Sequence, residues 1–231
     1  MITAVIPAYN EELTIEGVVD KTKKYVDEII VINDASTDET KDLIKEKNVK
    51  LIDHKKNRGL GKSLRDGIKK AIELDSDIII TIDADGQHDP DDIPRLVEKI
   101  KNGNDFVLGA RDLRQYPFIK KLGNFFLNTI TNFISGTYLK DTESGFRAFT
   151  KKAAQKMTLK SNRYEIATEI IFEVGKNNLK STNIKIDSPI YVKGVGIGDG
   201  ILNFIFLINR SREKKIREYL RDIKYVLKKW F

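Results

Sequence analysis

The run Ile78 to Asp85, IIITIDAD, ends in two aspartates one residue apart, Asp83 and Asp85, and Gly86, Gln87 and Pro90 follow closely. A β-strand alternates its side chains, so both carboxylates leave a buried strand on one side, at the edge where ligands gather in open α/β sheets. Paired carboxylates of this kind hold hard divalent cations such as Mg²⁺ or Mn²⁺, which share oxygen ligands with a substrate diphosphate. Alone, D-x-D equally describes a turn or a helix cap. Two further acidic loops close apolar runs and so fall at the same edge: Ile6-Pro7-Ala8-Tyr9-Asn10-Glu11-Glu12, and Ile32-Asn33-Asp34 continuing to Thr40. Tyr9 with Asn10, Glu11 and Asp34 offers a stacking ring and hydrogen-bonding groups for a nucleobase and its ribose, while the metal carries the diphosphate.

The elements that must present these loops alternate in type. Apolar runs at Ile2 to Ile6, Glu28 to Ile32, Val49 to Ile52, Ile78 to Ile82 and Phe106 to Leu108 are separated by helical periodicity beginning near Leu13, Thr37, Leu60 and Asp91. Such alternation predicts a mostly parallel sheet with helices on both faces. Ser36-Thr37-Asp38-Glu39 reads as a capping box, and Asp89-Pro90 leads into the acidic first turn Asp91-Asp92. Gly59-Leu60-Gly61-Lys62-Ser63 suggests a P-loop, but position 56 is Lys where that pattern requires Gly, so a helix start is expected instead.

Beyond Arg111 the pattern changes. Phe118 to Ile134 places Phe118, Ile119, Leu122, Phe125, Phe126, Leu127, Ile130, Phe133 and Ile134 on an arc of roughly 200° at helical pitch. That helix either covers the sheet or dips partly into lipid. From Ile216 to Phe231 a second apolar stripe is flanked by Arg217, Arg221, Lys224, Lys228 and Lys229, a pattern suited to a membrane interface or to docking on the protein's own surface. Residues 1–200 are thus expected to form one domain and 201–231 a basic amphipathic extension.

Composition narrows the classes. The 231 residues are 40% hydrophobic and 32% charged, as in a folded domain. The absence of cysteine excludes disulfides, thiolate metal sites and a cysteine nucleophile. The opening MITAVIPAYNEE has no basic n-region and reads as a strand rather than a signal peptide. The longest apolar stretch, Ile201 to Ile208, falls far short of the roughly 20 residues of a bilayer span. A net charge of +7 favours anionic partners, and much of the excess lies after Asn209.

In order along about the first two thirds of the chain stand VIPAYNEE (Val5 to Glu12), VINDASTDET (Val31 to Thr40), NRGLGKSLRDGI (Asn57 to Ile68), DADGQHDP (Asp83 to Pro90), LGAR (Leu108 to Arg111) and DTESGFRAF (Asp141 to Phe149). This set resembles the inverting family 2 glycosyltransferases, and within them the polyprenyl-phosphate sugar synthases of the dolichol-phosphate mannose or glucose type. The resemblance implies an α/β GT-A fold, Rossmann-like, with C-terminal amphipathic helices. It implies a nucleoside site at Pro7, Tyr9, Asn10, Glu11 and Asp34, and Mg²⁺ or Mn²⁺ with the donor diphosphate at Asp83, Asp85 and Gln87.

Arg111 and Arg147 suit phosphates, because a guanidinium forks onto two oxygens and stays charged. Lys193 aligns with the charged start of the family's closing loop, although Gly198 and Asp199 replace its serine and lysine. The implied reaction moves a hexose from a nucleotide-sugar such as GDP-mannose or UDP-glucose to a polyprenyl phosphate. The expected enzyme is cytoplasmic and peripheral at the inner face of the membrane, with a separate membrane protein as a further partner and no nucleic acid. For a sugar-hydroxyl acceptor, the alternative, Asp141 would be the base, with Glu165 or Glu169 behind it. His54 and His88 lack the spacing of a metal-binding pair and read as loop residues.

Overall fold

The computed structural model describes residues 1–112, 118–186 and 206, the side chains of 118–120 excepted. Lys193, the loop 193–199 and the helix expected over 216–231 lie outside the described residues. The strands are β1 (Ile2–Ala8), β2 (Glu28–Asn33), β3 (Lys50–Asp53), β4 (Ile78–Thr81), β5 (Phe106–Ala110), β6 (Arg147–Thr150) and β7 (Ser181–Lys185). They form one sheet in the order β3-β2-β1-β4-β6-β5-β7. All its pairings are parallel except those of β6, which runs antiparallel to β4 and β5. The expected mostly parallel sheet is therefore present. Two short strands were not expected: β6 (RAFT) and β7 (STNIK), the latter carrying no apolar run that would mark a buried strand.

Alternation along the central strands builds two cores. Ala4, Ile6 and Ala8 of β1 and Ile78 and Ile80 of β4 face helices α1 (Ile15–Thr22), α2 (Thr40–Lys45) and α4 (Ile93–Lys101). Val5 and Ile79 face the other layer, helices α3 (Leu60–Glu73), α6 (Lys151–Lys156) and α7 (Ile166–Lys176). Each fully buried isoleucine contributes about 1.5–3 kcal/mol, so the sheet centre is rigid enough to aim its loops. Helix α5 (Phe118–Ser135) packs on α7, where Gly175 gives close passage to the Ser135 backbone.

Helix α3 begins at Leu60 with Gly59 at its N-cap, so the glycine-rich stretch is a helix start as expected. The capping box is not formed. α2 starts later, at Thr40, because Ser36 and Asp38 are turned onto the β1 loop, where they accept from Asn10 N and Glu12 N. α4 likewise starts at Ile93, after a 3-10 turn (Pro90–Asp92) in which Asp89 accepts from Asp91 N.

Pro7 explains how the crevice opens. Val5 presents its backbone toward β4, accepting from Ile82 N, so two residues on the missing N–H of Pro7 falls on the same side. The β1–β4 ladder stops at Val5 and Thr81, and the loops that follow separate, while β1 and β2 stay paired to Ala8 and Asn33.

Gly67 of α3 lies where a Cβ would meet Val5 and Ile32. Gly67→Ala should therefore destabilise the fold by about 1–3 kcal/mol in urea unfolding, although alanine is the better helix former by about 1 kcal/mol.

Candidate active site

The loops after β1, β2 and β4 converge at the carboxyl edge of the sheet, on either side of the β1–β4 break. Asp83 stands next to His88, whose Nε2 lies 3.4 Å from Asp83 Oδ2 while its ring rests on Phe146 at 5.5 Å between centroids. Burial opposes the Asp83 charge, but His88, with Arg147 and Arg111 behind it, prevails and holds the carboxyl below the usual carboxylate range. Asp85 is pushed the other way by burial and by the charge of Asp83. Gln87 turns onto Asp85, donating from its side-chain amide at 2.6 Å and from its backbone N–H at 3.0 Å. It tethers that carboxylate.

Glu11 completes the acidic group. Burial and the charges of Asp85 and Asp83 raise its carboxyl to about 7. Such crowding of hard oxygens is relieved by a cation, and the donor set fits Mg²⁺ or Mn²⁺. Among the described residues no group of three or more His, Cys, Asp or Glu is arranged so that it could hold a metal ion by itself. Asp83 and Asp85 would thus supply a minority of the ligands, leaving positions for phosphate oxygens and water.

Behind the acidic pair lie the arginines. Arg111 forks onto Asp141, with Nε to Oδ2 at 2.7 Å and Nη2 to Oδ1 at 2.8 Å, and its backbone N–H adds a third bond at 3.0 Å. Burial opposes the Asp141 charge, but Arg111 outweighs it and holds the carboxyl below its ordinary range. A carboxylate so engaged is a poor proton acceptor. Arg147, the first residue of β6, pairs in register with Thr81 and is 1% exposed. Its Nε has no hydrogen-bond partner among the described residues. Burial works against its charge, and Asp83, Glu143 and Asp141 support it.

In the β1 loop, Tyr9 is 47% exposed, whereas Pro7 is buried in β1. Asn10 is committed to the scaffold, its Oδ1 accepting from Thr37 N at 2.8 Å. Asp34 accepts from Arg58 N at 2.9 Å, Gly59 N at 2.7 Å and His54 Nδ1 at 2.7 Å, and His54 Nε2 meets Asp66 at 3.0 Å. Asn10, Ala35 and Asp141 hold positive φ angles of 56°, 61° and 56°. Left-handed backbone at non-glycine residues costs about 1–3 kcal/mol each and is retained where surrounding structure imposes it.

The structure brings Glu11, Asp83, Asp85, Gln87 and Arg147 together, sets Arg111 and Asp141 beside them as a pair, and gives Asn10 and Asp34 to loop support. Glu169 serves elsewhere, accepting from Lys160 N and Ser161 N. His54 and His88 stand in loops, as expected, but both are buried against carboxylate partners, and the residues that the sequence did not single out are Glu143 and Gly145. Glu143 accepts from Thr168 Oγ1 at 3.0 Å, and burial raises its carboxyl. A Cβ on Gly145 would overlap the Asp83 carboxylate. The SGF triplet after Asp141 was the available signal, but nothing local links it to Asp83.

A mostly parallel sheet with one antiparallel strand and a crevice of acidic loops is the GT-A glycosyltransferase fold. Glucosyl-3-phosphoglycerate synthase of Mycobacterium tuberculosis bound to phosphoglyceric acid is similar at a TM-score of 0.76 and 18% identity, over 94% of this chain and 81% of that one. Residues 3–158 match the family described as Glycosyl transferase family 2, and the chain belongs to it. An uncharacterized protein of Methanocaldococcus jannaschii is 40% identical over 194 residues, 80% of each chain. The UDP-N-acetylglucosamine–dolichyl-phosphate N-acetylglucosaminyltransferase of Methanococcus voltae is 36% identical, over 80% of this chain and 84% of its own. The dolichol-phosphate mannosyltransferase of Pyrococcus furiosus is 30% identical, over 99% of this chain and 64% of its own.

Two outcomes are expected. Because Glu11 binds its proton more tightly folded than unfolded, the metal-free chain should lose stability as pH rises from 4.5 to about 7. Glu11→Gln should flatten that slope in a thermal-shift series across pH. Gly145→Ala should displace Asp83 and weaken Mn²⁺ binding by about tenfold or more in titration calorimetry, with secondary structure retained.

Proposed function

We propose that this protein transfers one hexose, mannose or glucose, from GDP or UDP to a polyprenyl phosphate, inverting the anomeric carbon, while attached peripherally to the cytoplasmic face of a membrane. The observation that carries this reading is Arg147, a buried guanidinium next to Asp83 whose Nε has no hydrogen-bond partner among the described residues. A buried polar group left without a partner is unfavourable by about 1–3 kcal/mol, more when charged, and a phosphate oxygen supplies the missing acceptor. Relatives whose names specify dolichyl phosphate support the choice of acceptor.

The chemistry needs little from the protein beyond position. A phosphate monoester has its second pKa at about 6, so its oxygen attacks the anomeric carbon without a base, and the bond from that carbon to the nucleoside diphosphate breaks. This agrees with an Asp141 bound up by Arg111. When bound at Asp83 and Asp85, Mg²⁺ or Mn²⁺ would neutralise charge on the departing diphosphate. Gln87 holds Asp85 in place, Tyr9 stacks on the base, and Arg147 and Arg111 keep anionic groups in the crevice.

The membrane side of the proposal is supported by α5. Leu122, Phe125, Phe126 and Phe133 are 46%, 64%, 54% and 49% exposed, while Ile130 and Ile134 pack toward α7. Among its described side chains the apolar arc thus divides, Ile130 and Ile134 covering the domain and the other four facing outward. A cavity of about 490 Å³ is lined by Arg111, Lys121 and Lys140 with Asn124, Asn128 and Asp141, and Phe125 of α5 is its apolar side chain, so cationic groups for a phosphate and a ring for an acyl chain share one space. Among the described residues no helix is long and apolar enough to cross a membrane.

The test is label transfer from GDP-mannose, UDP-glucose and UDP-N-acetylglucosamine, with Mg²⁺ or Mn²⁺ and a polyprenyl phosphate, into an organic-extractable product. Asp85→Asn should lower turnover by about two orders of magnitude. Label found only in water-soluble product would overturn the lipid acceptor, and normal turnover by folded Asp85→Asn would overturn the metal assignment.

A further inference from the structure

We propose that two basic loops at the carboxyl edge of the sheet, carrying Lys55, Lys56, Arg58, Lys160 and Arg163, form a cationic footing that binds the anionic lipid headgroups of the acceptor's membrane. This inference rests on the reading that the acceptor is a membrane lipid. All five side chains are exposed, and none takes part in an ion pair among the described residues. The neighbouring acidic side chain Asp66 is already balanced by Lys62 and His54.

The backbones beneath these cations are fixed from inside. Asp34 accepts from Arg58 N and Gly59 N, and Glu169, fully buried, accepts from Lys160 N and Ser161 N. The two loops lock together where Lys62 N donates to Asn162 O at 3.2 Å and where Gly59 and Gly61 lie against the Ser161 and Asn162 backbone. Carboxylates below take the N–H groups, and the ammonium and guanidinium groups are left pointing to solvent. A rigid array of like charges is unfavourable in water and is relieved by a surface of opposite sign.

A membrane fits this surface better than a nucleic acid does. Helix α7 packs between α3 and α5, and the basic loops lead into α3 and α7. α5 adds its outward Leu122, Phe125, Phe126 and Phe133, and Tyr164 within the second loop is 48% exposed. Cations beside outward aromatic and aliphatic side chains suit a lipid interface, where headgroups meet the former and acyl chains the latter. A phosphodiester backbone has no counterpart for the apolar row.

The experiment is sedimentation of the full chain with vesicles of phosphatidylcholine, with and without phosphatidylglycerol, in the absence of donor and acceptor. Binding to the anionic vesicles that falls with added salt is expected, and the triple variant Lys55→Glu, Lys56→Glu, Lys160→Glu should weaken it by about tenfold or more. A control reversing Lys24, Lys99 and Lys101 at the opposite edge should change it by less than about threefold. Equal losses in the two variants would make the effect one of net charge and overturn the footing, as would unchanged binding by the first. Tighter binding to an oligonucleotide than to the vesicles at the same salt would also overturn it. Nucleotide-donor binding by calorimetry checks that each variant is folded. Because no sugar transfer is read, failure here and failure of the proposed reaction are separately visible.

Discussion

Charge held out of water is the constraint on which the crevice depends. Asp83, Asp85 and Glu11 crowd one side, and Arg147, Arg111 and His88 stand close behind, in surroundings where burial opposes every one of the carboxylates and Arg147. Such an arrangement persists only when each charge has a partner or is awaiting one. Asp141 has found Arg111. Asp83 has found His88. Arg147 and Asp85 have not been satisfied to the same degree, the first lacking a hydrogen bond at Nε among the described residues and the second pushed toward its neutral form. A cation and a phosphate arriving together would settle both at once.

The rest of the fold can be understood as the means of assembling those charges. Pro7 interrupts the ladder between β1 and β4 and so lets their loops diverge. Stitching between Asn10, Glu12, Ser36, Thr37 and Asp38 then ties the β1 loop to the β2 loop rather than to β4. The antiparallel β6 is inserted between β4 and β5, and its placement carries Arg147 and Gly145 from far along the chain to the side of Asp83. Only glycine fits at 145, since any side chain would occupy the space of the carboxylate. Asn10, Ala35 and Asp141, in these connections, hold positive φ angles.

The carboxylates outside the crevice have a different purpose. Asp34 and Glu169 are hydrogen-bond acceptors for loop backbones, and they fix the orientation of those loops. Asp34 was expected to read the nucleoside. Its oxygens accept three hydrogen bonds, from Arg58 N, Gly59 N and His54 Nδ1, which set the shape of the loop at Arg58 and Gly59.

Legible in the order of residues were the alternating strands and helices, the placing of Asp83 and Asp85 after a buried strand, the start of α3 at Leu60 and the apolar residues of α5 as part of a helical arc. These are properties of neighbouring residues, written in periods of two and 3.6, and local sterics and burial are enough to enforce them. Tertiary structure alone decided that Arg111 would meet Asp141, that Gly145 would lie against Asp83, that His54 would join Asp34 to Asp66, and that Ser36 would serve a neighbouring loop instead of capping α2. Each of those contacts joins residues that belong to different elements. Which elements become neighbours depends on how the sheet orders its strands, above all on the antiparallel insertion of β6, and no periodicity in RAFT records that choice.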